Sequence, residues 1–197
     1  MSKFSIECKQ SLGMSHSGEV IAEGDSTVEL TDEEVKVLVD LIREKNTTDV
    51  EELELEEKYP KLYEKLDDAY HDMAYRAEET HWLWEGYESG YFEYNEYKLM
   101  RYCENNLGFT FEFKPEEYLE EYELEDYYEN PESFEDQIND IKSEVFNKWL
   151  DKYVHSLSDD EACRFFYDHM NPELEMGSVD YEVGIPAAII EMAKQSL

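Results

Sequence analysis

Two carboxylate–histidine pairs are the most metal-like feature of the sequence. Asp68 precedes His71 by three residues, and Glu78 precedes His81 by the same spacing. Di-iron carboxylate bundles take such Glu-x-x-His pairs from two different helices, so that the side chains converge on the metal. Here both pairs belong to one predicted helix and lie ten residues apart, so they turn away from each other. We therefore expect no metal site, and we interpret both histidines as ordinary polar or boundary residues.

One cysteine–histidine combination has the residue types of a nucleophile and its base. Cys163 and His169 lie six residues apart in a predicted helix, which puts them more than one turn apart. A buried free cysteine is also far more common than a catalytic one. No glycine-rich phosphate loop, GxSxG, HExxH or EF-hand pattern occurs in the sequence. The sequence therefore predicts no enzyme and no cofactor, and an enzyme whose site leaves no sequence motif stays an alternative.

The chemistry that the sequence does carry is negative charge mixed with tyrosine. Residues 115–136 hold eleven acidic residues, four tyrosines and no basic residue, and residues 87–102 hold three glutamates among five tyrosines. A helix rises ~1.5 Å per residue, so the first stretch as one helix would carry about one charge per 3 Å, close to the ~3.4 Å spacing along one DNA strand. Tyrosine adds a rigid ring whose face suits Arg and Lys.

The absence of basic residues from this stretch favours a binding surface. An ordinary exposed helix mixes its charges, because opposite charges three or four residues apart stabilise it. We predict that a basic partner binds nine residues of the stretch: Glu116, Glu117, Glu120, Glu121, Tyr122, Glu125, Asp126, Tyr127 and Glu129. The alternative is that the stretch is only a solvated face.

The excess of acidic residues extends over the whole chain. The 197 residues include 51 Asp and Glu against 17 Lys and Arg, which gives a formal net charge of −34. Solubility needs a charge of only about 2 to 8 in a small domain. Aromatic residues make up 14% of the chain, so we expect it to fold rather than remain a disordered acidic tail. Repulsion between like charges argues against nucleic acid and anionic membranes as partners and favours a basic protein.

The cysteines and the apolar segments predict a cytoplasmic protein. Cys8, Cys103 and Cys163 form no CxxC pair and are odd in number, which indicates thiols in a reducing compartment. The first residues do not resemble a signal peptide. The longest apolar run, Ile185–Ile190, is far too short to span a membrane.

Periodicity and capping signals predict the elements that carry the acidic stretch. Alternation of apolar and polar residues predicts strand at 4–8, 20–22, 27–30, 109–113 and 179–183, with a turn from Gly13 to Gly18. Helical spacing, with capping boxes at Thr31 and Ser158, predicts helices at about 31–45, 49–55, 60–84, 94–104, 131–149, 158–169 and from Pro186 onward. The predicted fold class is α+β, with a small, mostly antiparallel sheet of about four strands covered by helices and helix in excess of strand.

No internal repeat and no long Pro/Gly/Ser linker divides the sequence. We therefore predict a single acidic domain over residues 1–197, with a helical, tyrosine-rich elaboration around residues 85–136. The sequence allows a monomer, or a dimer that pairs through Trp82 and Trp84. A dimer through the acidic stretch is disfavoured, because like charges repel.

In composition the chain resembles acidic DNA-mimic proteins, such as the anti-restriction and anti-CRISPR proteins of phages and mobile elements. It is also similar in character to immunity proteins that neutralise basic nuclease toxins. Both resemblances rest on charge and cover no motif. The first implies an inhibitor that occupies the basic groove of a nuclease or its targeting complex and binds neither nucleic acid nor membrane. A toxin's immunity partner and an acidic housekeeping or assembly protein are the alternatives.

Overall fold

The structure, a computed structural model, describes residues 1–15, 18–174 and 178–195. It has the predicted α+β composition, with helix in excess of strand. Two strands come first, β1 (Ser2–Ser15) and β2 (Gly18–Leu30). The helices follow in chain order: α1 (Asp32–Lys45), α2 (Leu55–Lys58), α3 (Pro60–Glu88), α4 (Glu96–Asn106), α5 (Pro115–Tyr118), α6 (Glu121–Glu129), a 3-10 turn (Pro131–Phe134), α7 (Glu135–Val154), α8 (Asp159–His169) and α9 (Ala187–Lys194).

Contacts along the chain group the residues into two compact units. Unit 1 comprises residues 1–85 and 174–197, and unit 2 comprises residues 86–173. The acidic stretch 115–136 lies wholly within unit 2, whereas both strands lie in unit 1. The prediction of one domain with a helical elaboration stays a prediction.

The sheet of unit 1 is a long antiparallel hairpin. Ser2 lies opposite Leu30 and Phe4 opposite Val28, and the register shifts between Ser11 and Gly13. Side chains on alternate residues point to the same face of a strand, and one face of the hairpin is buried. Its buried side chains are Phe4, Ile6, Ala22, Val28 and Leu30.

Gly24 allows helix α3 to approach this hairpin closely. A Cβ atom at this position would lie 3.0 Å from the Cβ of Ala77 and 3.2 Å from the backbone oxygen of Met73. Both neighbours are buried on α3. A larger residue at position 24 would therefore push the strand away from the helix.

Helix α1 forms where its capping signal predicts. The backbone N–H of Thr31 donates to Glu34 Oε2 at 2.7 Å, and the N–H of Glu34 donates to Thr31 Oγ1 at 3.2 Å. Asn46, with φ of 55°, ends the helix in the left-handed region that asparagine tolerates. The guanidinium of Arg43 donates to the Ala193 and Met192 carbonyls of α9 at 3.0 and 2.9 Å, which joins α1 to α9.

Unit 2 has an aromatic core between its longer helices. The ring of Phe109 meets Phe146 of α7 edge-on at 5.1 Å, and Trp149 lies 5.4 Å from Phe109. Phe166 of α8 is fully buried and stacks on Tyr87 at 5.0 Å. Helix α8 begins at its predicted cap, where the Ser158 N–H donates to the Glu161 carboxylate at 3.0 Å.

The predicted strand count was wrong, because the described residues form two strands and not about four. The segments 20–22 and 27–30 belong to one continuous strand, β2. Segments 109–113 and 179–183 are outside any strand. Phe109 is buried against side chains of α7, and the Tyr181 hydroxyl donates to Asp67 of α3. The alternation of apolar and polar residues in these segments therefore reflects packing against helices and not pairing with a strand. The predicted turn Gly13–Gly18 includes residues 16 and 17, which lie outside the described residues.

The longer predicted helices are confirmed in number and order as α1, α3, α4, α7, α8 and α9. The predicted helix at 49–55 is corrected, because residues 51–54 form turns and α2 begins only at Leu55. Among the described residues, no helix is both long enough and apolar enough to cross a membrane.

Candidate partner-binding surface

Helix α6 is a short helix held in place by its inner face. Its N-terminus has a capping box, in which the Glu120 N–H donates to Glu123 Oε2 at 2.9 Å. Helices of nine residues are marginal on their own, so tertiary contacts must hold it. The ring of Tyr127 provides them, lying 5.6 Å from Phe113 and 5.5 Å from Phe134, with both rings edge-on.

The outer face of α6 gathers five of the nine predicted residues. Successive residues of a helix are rotated by about 100°, so residues four apart form rows along one side. One row is Glu121, Glu125 and Glu129, and the adjacent row is Tyr122 and Asp126. All five are exposed, whereas Glu123, Leu124 and Tyr127 on the other side are half-buried. We call these five residues the α6 acidic face: Glu121, Tyr122, Glu125, Asp126 and Glu129.

The carboxylates of the α6 acidic face have no ionic partner in the described part of the chain. No Lys, Arg or His lies within 4.0 Å of Glu121, Glu125, Asp126 or Glu129 there. The four carboxylates span the nine residues Glu121–Glu129, or ~12 Å of helix axis. The face is therefore an uncompensated row of negative charge.

The other predicted residues are placed differently. Glu116 and Glu117 lie on α5 and Glu120 precedes α6, and all three are exposed. The Lys114 ammonium lies 3.0 Å from Glu117 Oε1, which neutralises that carboxylate in part. Tyr127 is half-buried among aromatic rings, so its visible contribution is to hold the helix.

Tyr128 belongs beside this surface, although the sequence did not single it out. Its side chain is 60% exposed, and its hydroxyl donates to the carboxylate of Glu116. This hydrogen bond lowers the pKa of Glu116 and raises the pKa of Tyr128. On the helix, Tyr128 lies next to the Glu121 row, on the side away from Tyr122. Helical spacing alone puts Tyr128 beside the Glu121 row, but it does not say which side of the helix is buried.

The histidines that the sequence analysis considered for metal binding or catalysis make local contacts within their own units. The His71 ring meets Tyr181 edge-on at 5.4 Å, and His81 Nε2 lies 3.4 Å from Glu85. His169 packs its ring 4.1 Å from Tyr102. No group of three or more metal-ligating side chains converges anywhere in the described residues.

Unit 1 carries an acidic row of the same spacing as that of α6. Glu64, Asp68 and Asp72 follow one another every four residues on α3, and all three are exposed. Asp72 lies 3.9 Å from His71 Nδ1. No tyrosine with more than half its surface exposed occurs on α3, so this row matches α6 in charge and spacing but not in exposed rings.

Comparison of the chain with protein-family models, with curated proteins and with solved structures found no match.

Proposed function

We propose that this protein is an inhibitor that occupies the nucleic-acid groove of a basic, nucleic-acid-binding protein with its α6 acidic face. The observation that carries the proposal is the row of four exposed carboxylates without a basic partner among the described residues. The partner class that we favour is a nuclease or its targeting complex, in keeping with the chain's compositional resemblance to anti-defence proteins of phages and mobile elements.

The spacing of the carboxylates supports mimicry of a phosphate strand. Glu121, Glu125 and Glu129 are separated by ~6 Å along the helix axis, and Asp126 adds a fourth charge within the same ~12 Å. One strand of duplex DNA carries a phosphate every ~3.4 Å of axis. The mean charge density along the face is therefore similar to that of one strand, which suits a groove lined with basic side chains.

The electrostatics of the whole chain support rapid binding to such a partner. A net charge of −34 attracts a basic surface from a distance, and steering of this kind raises association rates and weakens with salt. Among the described residues, the carboxylates of the α6 acidic face are exposed and form no ion pair. No ion pair with a described residue therefore has to break before a partner binds.

Two triple variants test the proposal with the same change of charge. The first reverses the α6 row, E121K/E125K/E129K, and the second reverses the α3 row, E64K/D68K/D72K. Each replaces three exposed acids that lie four residues apart on one helix, so each changes the net charge by the same amount. Only the first removes the proposed binding surface.

The measurement is a pull-down with tagged full-length protein from a lysate of the host cell, at low and at high salt, with mass spectrometry of the bound proteins. We expect one dominant nucleic-acid-binding protein that competing DNA or RNA displaces. The α6 triple should lose it, and the α3 triple should retain it. Equal retention by both triples, or capture of many basic proteins at low salt and none at high salt, would contradict the proposal.

A further inference from the structure

We propose that the α6 acidic face binds arginine side chains in preference to lysine, each held between a tyrosine ring and a carboxylate. The inference rests on the proposed function and names the chemistry of the partner's groove. Tyr122 is 77% exposed and Tyr128 is 60% exposed, and the Glu121 row lies between them on the helix. The surface therefore offers rings on both sides of its row of carboxylates.

The position of Tyr122 suits a guanidinium group better than an ammonium group. Side chains four residues apart on a helix are neighbours, with Cβ atoms ~5–6 Å apart, so Asp126 lies beside Tyr122. A guanidinium is planar, so it can stack on a ring and still donate two parallel hydrogen bonds to a carboxylate. The lysine ammonium is a compact, strongly hydrated charge that lacks this flat face.

Tyr128 offers a ring whose orientation is already fixed. Its hydroxyl donates to Glu116, and its ring meets Tyr127 edge-on at 5.5 Å with an interplanar angle of 67°. These two contacts anchor opposite parts of the side chain while 60% of its surface stays exposed. Little rotamer entropy is then lost when a guanidinium stacks on it, which favours binding.

One arginine of the described residues lies near both a tyrosine ring and a carboxylate. On α4, the guanidinium carbon of Arg101 lies 6.0 Å from the centroid of the Tyr97 ring, and its Nη1 lies 3.8 Å from Glu104 Oε2. The arginine is thus bracketed by a tyrosine four residues before it and a glutamate three residues after it. The same pair of groups, an exposed ring and a carboxylate, is present on the α6 acidic face without an arginine.

The test compares two fluorescently labelled peptides, nona-arginine and nona-lysine, which have the same number of charges. Their affinities for the full-length protein are measured by anisotropy at one fixed ionic strength. We expect tighter binding of nona-arginine. Tyr122→Ala and Tyr128→Ala should each lower the affinity for nona-arginine by about 2- to 5-fold, the usual effect of one exposed cation–π contact. They should lower the affinity for nona-lysine less, so that the arginine-to-lysine affinity ratio falls.

Two control variants separate the ring from other effects. Tyr122→Phe keeps the ring and should keep the ratio. Tyr91→Ala removes a tyrosine that is also 77% exposed but lies outside any helix, between Gly90 and Phe92, and it should leave the ratio unchanged. Equal affinity for both peptides, or a ratio unaffected by Tyr122→Ala and Tyr128→Ala, would overturn the arginine preference.

The failure of this inference is distinguishable from the failure of the proposed function. If the arginine preference is absent but E121K/E125K/E129K weakens both peptides far more than E64K/D68K/D72K does, the α6 acidic face still binds basic groups without selecting arginine. If the two triples weaken nona-arginine binding equally, the peptide does not bind specifically to the α6 acidic face. The arginine preference and the proposed function are then both wrong.

Discussion

The two units carry the same net charge but arrange it differently. Unit 1 has 27 acidic and 10 basic residues and unit 2 has 24 and 7, so each has a formal charge of −17. In unit 1 some lysines pair with acids from other elements, as Lys65 does with Glu34 at 2.5 Å and Lys3 with Glu29 at 3.3 Å. In unit 2, eleven of the 24 acids fall within residues 115–136, where no basic residue occurs.

The exposed aromatic residues follow the same division. Among the described residues, every tyrosine that is more than 40% exposed belongs to unit 2: Tyr91, Tyr97, Tyr122, Tyr128 and Tyr167. Tyrosine is enriched in the hot spots of protein interfaces. The comparison teaches that net charge alone does not locate a site, since it is equal in the two units. The separation of acids from bases, together with exposed rings, singles out unit 2.

The largest predicted effects come from removing a large core side chain from either unit. Phe146→Ala in unit 2 should lower the free energy of unfolding by about 3–5 kcal/mol, and Leu66→Ala in unit 1 by about 2–5 kcal/mol, because both side chains are fully buried and would leave cavities. Hydrogen exchange measured by mass spectrometry should show the greater loss of protection in the unit that carries the substitution. An effect below about 1 kcal/mol for Phe146→Ala would show that the aromatic core of unit 2 is not closely packed.

A medium effect on stability is expected from removing a tyrosine hydroxyl, and it should differ between the two units. The Tyr181 hydroxyl donates to Asp67 at 2.9 Å in unit 1, and removing it in Tyr181→Phe should cost about 1 kcal/mol. Tyr128→Phe in unit 2 removes the bond to Glu116 at an exposed position and should leave the denaturation midpoint nearly unchanged. A larger effect of Tyr128→Phe than of Tyr181→Phe would reverse this assignment.

Tyr181 should also make the stability of the protein depend on pH in the alkaline range. Burial, and next the hydrogen bond to Asp67, raise the pKa of Tyr181 from 10.0 to about 12. A raised pKa contributes stability that is complete below the pKa of the unfolded chain and is lost as pH rises through the folded value. Wild type should therefore lose more stability than Tyr181→Phe between pH 10 and 12.

The smallest predicted effect concerns paired and unpaired surface glutamates. In unit 1, hydrogen bonds from Lys45 and Lys58 lower the pKa of Glu54 from 4.5 to about 2. A lowered pKa contributes stability that is present above the unfolded pKa and lost as pH falls through the folded one. Glu54→Gln should thus be slightly destabilising at pH 7, and the difference from wild type should disappear between pH 4.5 and 2. The measurement is urea denaturation at several pH values.

The counterpart in unit 2 is Glu129→Gln, which removes a carboxylate with no ionic partner in the described residues. It should not destabilise the protein at pH 7, because it removes repulsion and breaks no ion pair. A loss of stability as large as that of Glu54→Gln would mean that the α6 acidic face takes part in holding the fold.

Local signals predicted the helices well, because they act over a few residues. The capping boxes at Thr31 and Ser158 need only a residue and its third neighbour, and both form as predicted. Alternation is less informative about strands. Residues 109–113 alternate because Phe109 is buried against α7 while its polar neighbours face water, and the sequence does not say whether strands or helices cover a buried side.

The acidic stretch was predicted in composition but not in phase. A count of charges treats residues 115–136 as one helix. In the structure, helix α5 ends before Leu119, which is buried, and helix α6 begins at Glu121. Within α6, Tyr127 is half-buried and Tyr128 is exposed. The inward side is set by the contacts of Tyr127 with Phe113 and Phe134, from the segments that flank α6, and a count of charges does not encode these contacts.

The packed and the exposed residues of helix α6 lie on opposite sides, which has a consequence for evolution. Its half-buried residues, among them Leu124 and Tyr127, lie on one side of the nine-residue helix, and the residues of the α6 acidic face lie on the other. Substitutions on the outer side leave these contacts intact, so under the proposed function they would change recognition with little penalty in folding. Selection by a changing partner could then alter the surface one residue at a time, and we expect sequence divergence among descendants of this protein to concentrate on the outer side of α6 and spare Tyr127.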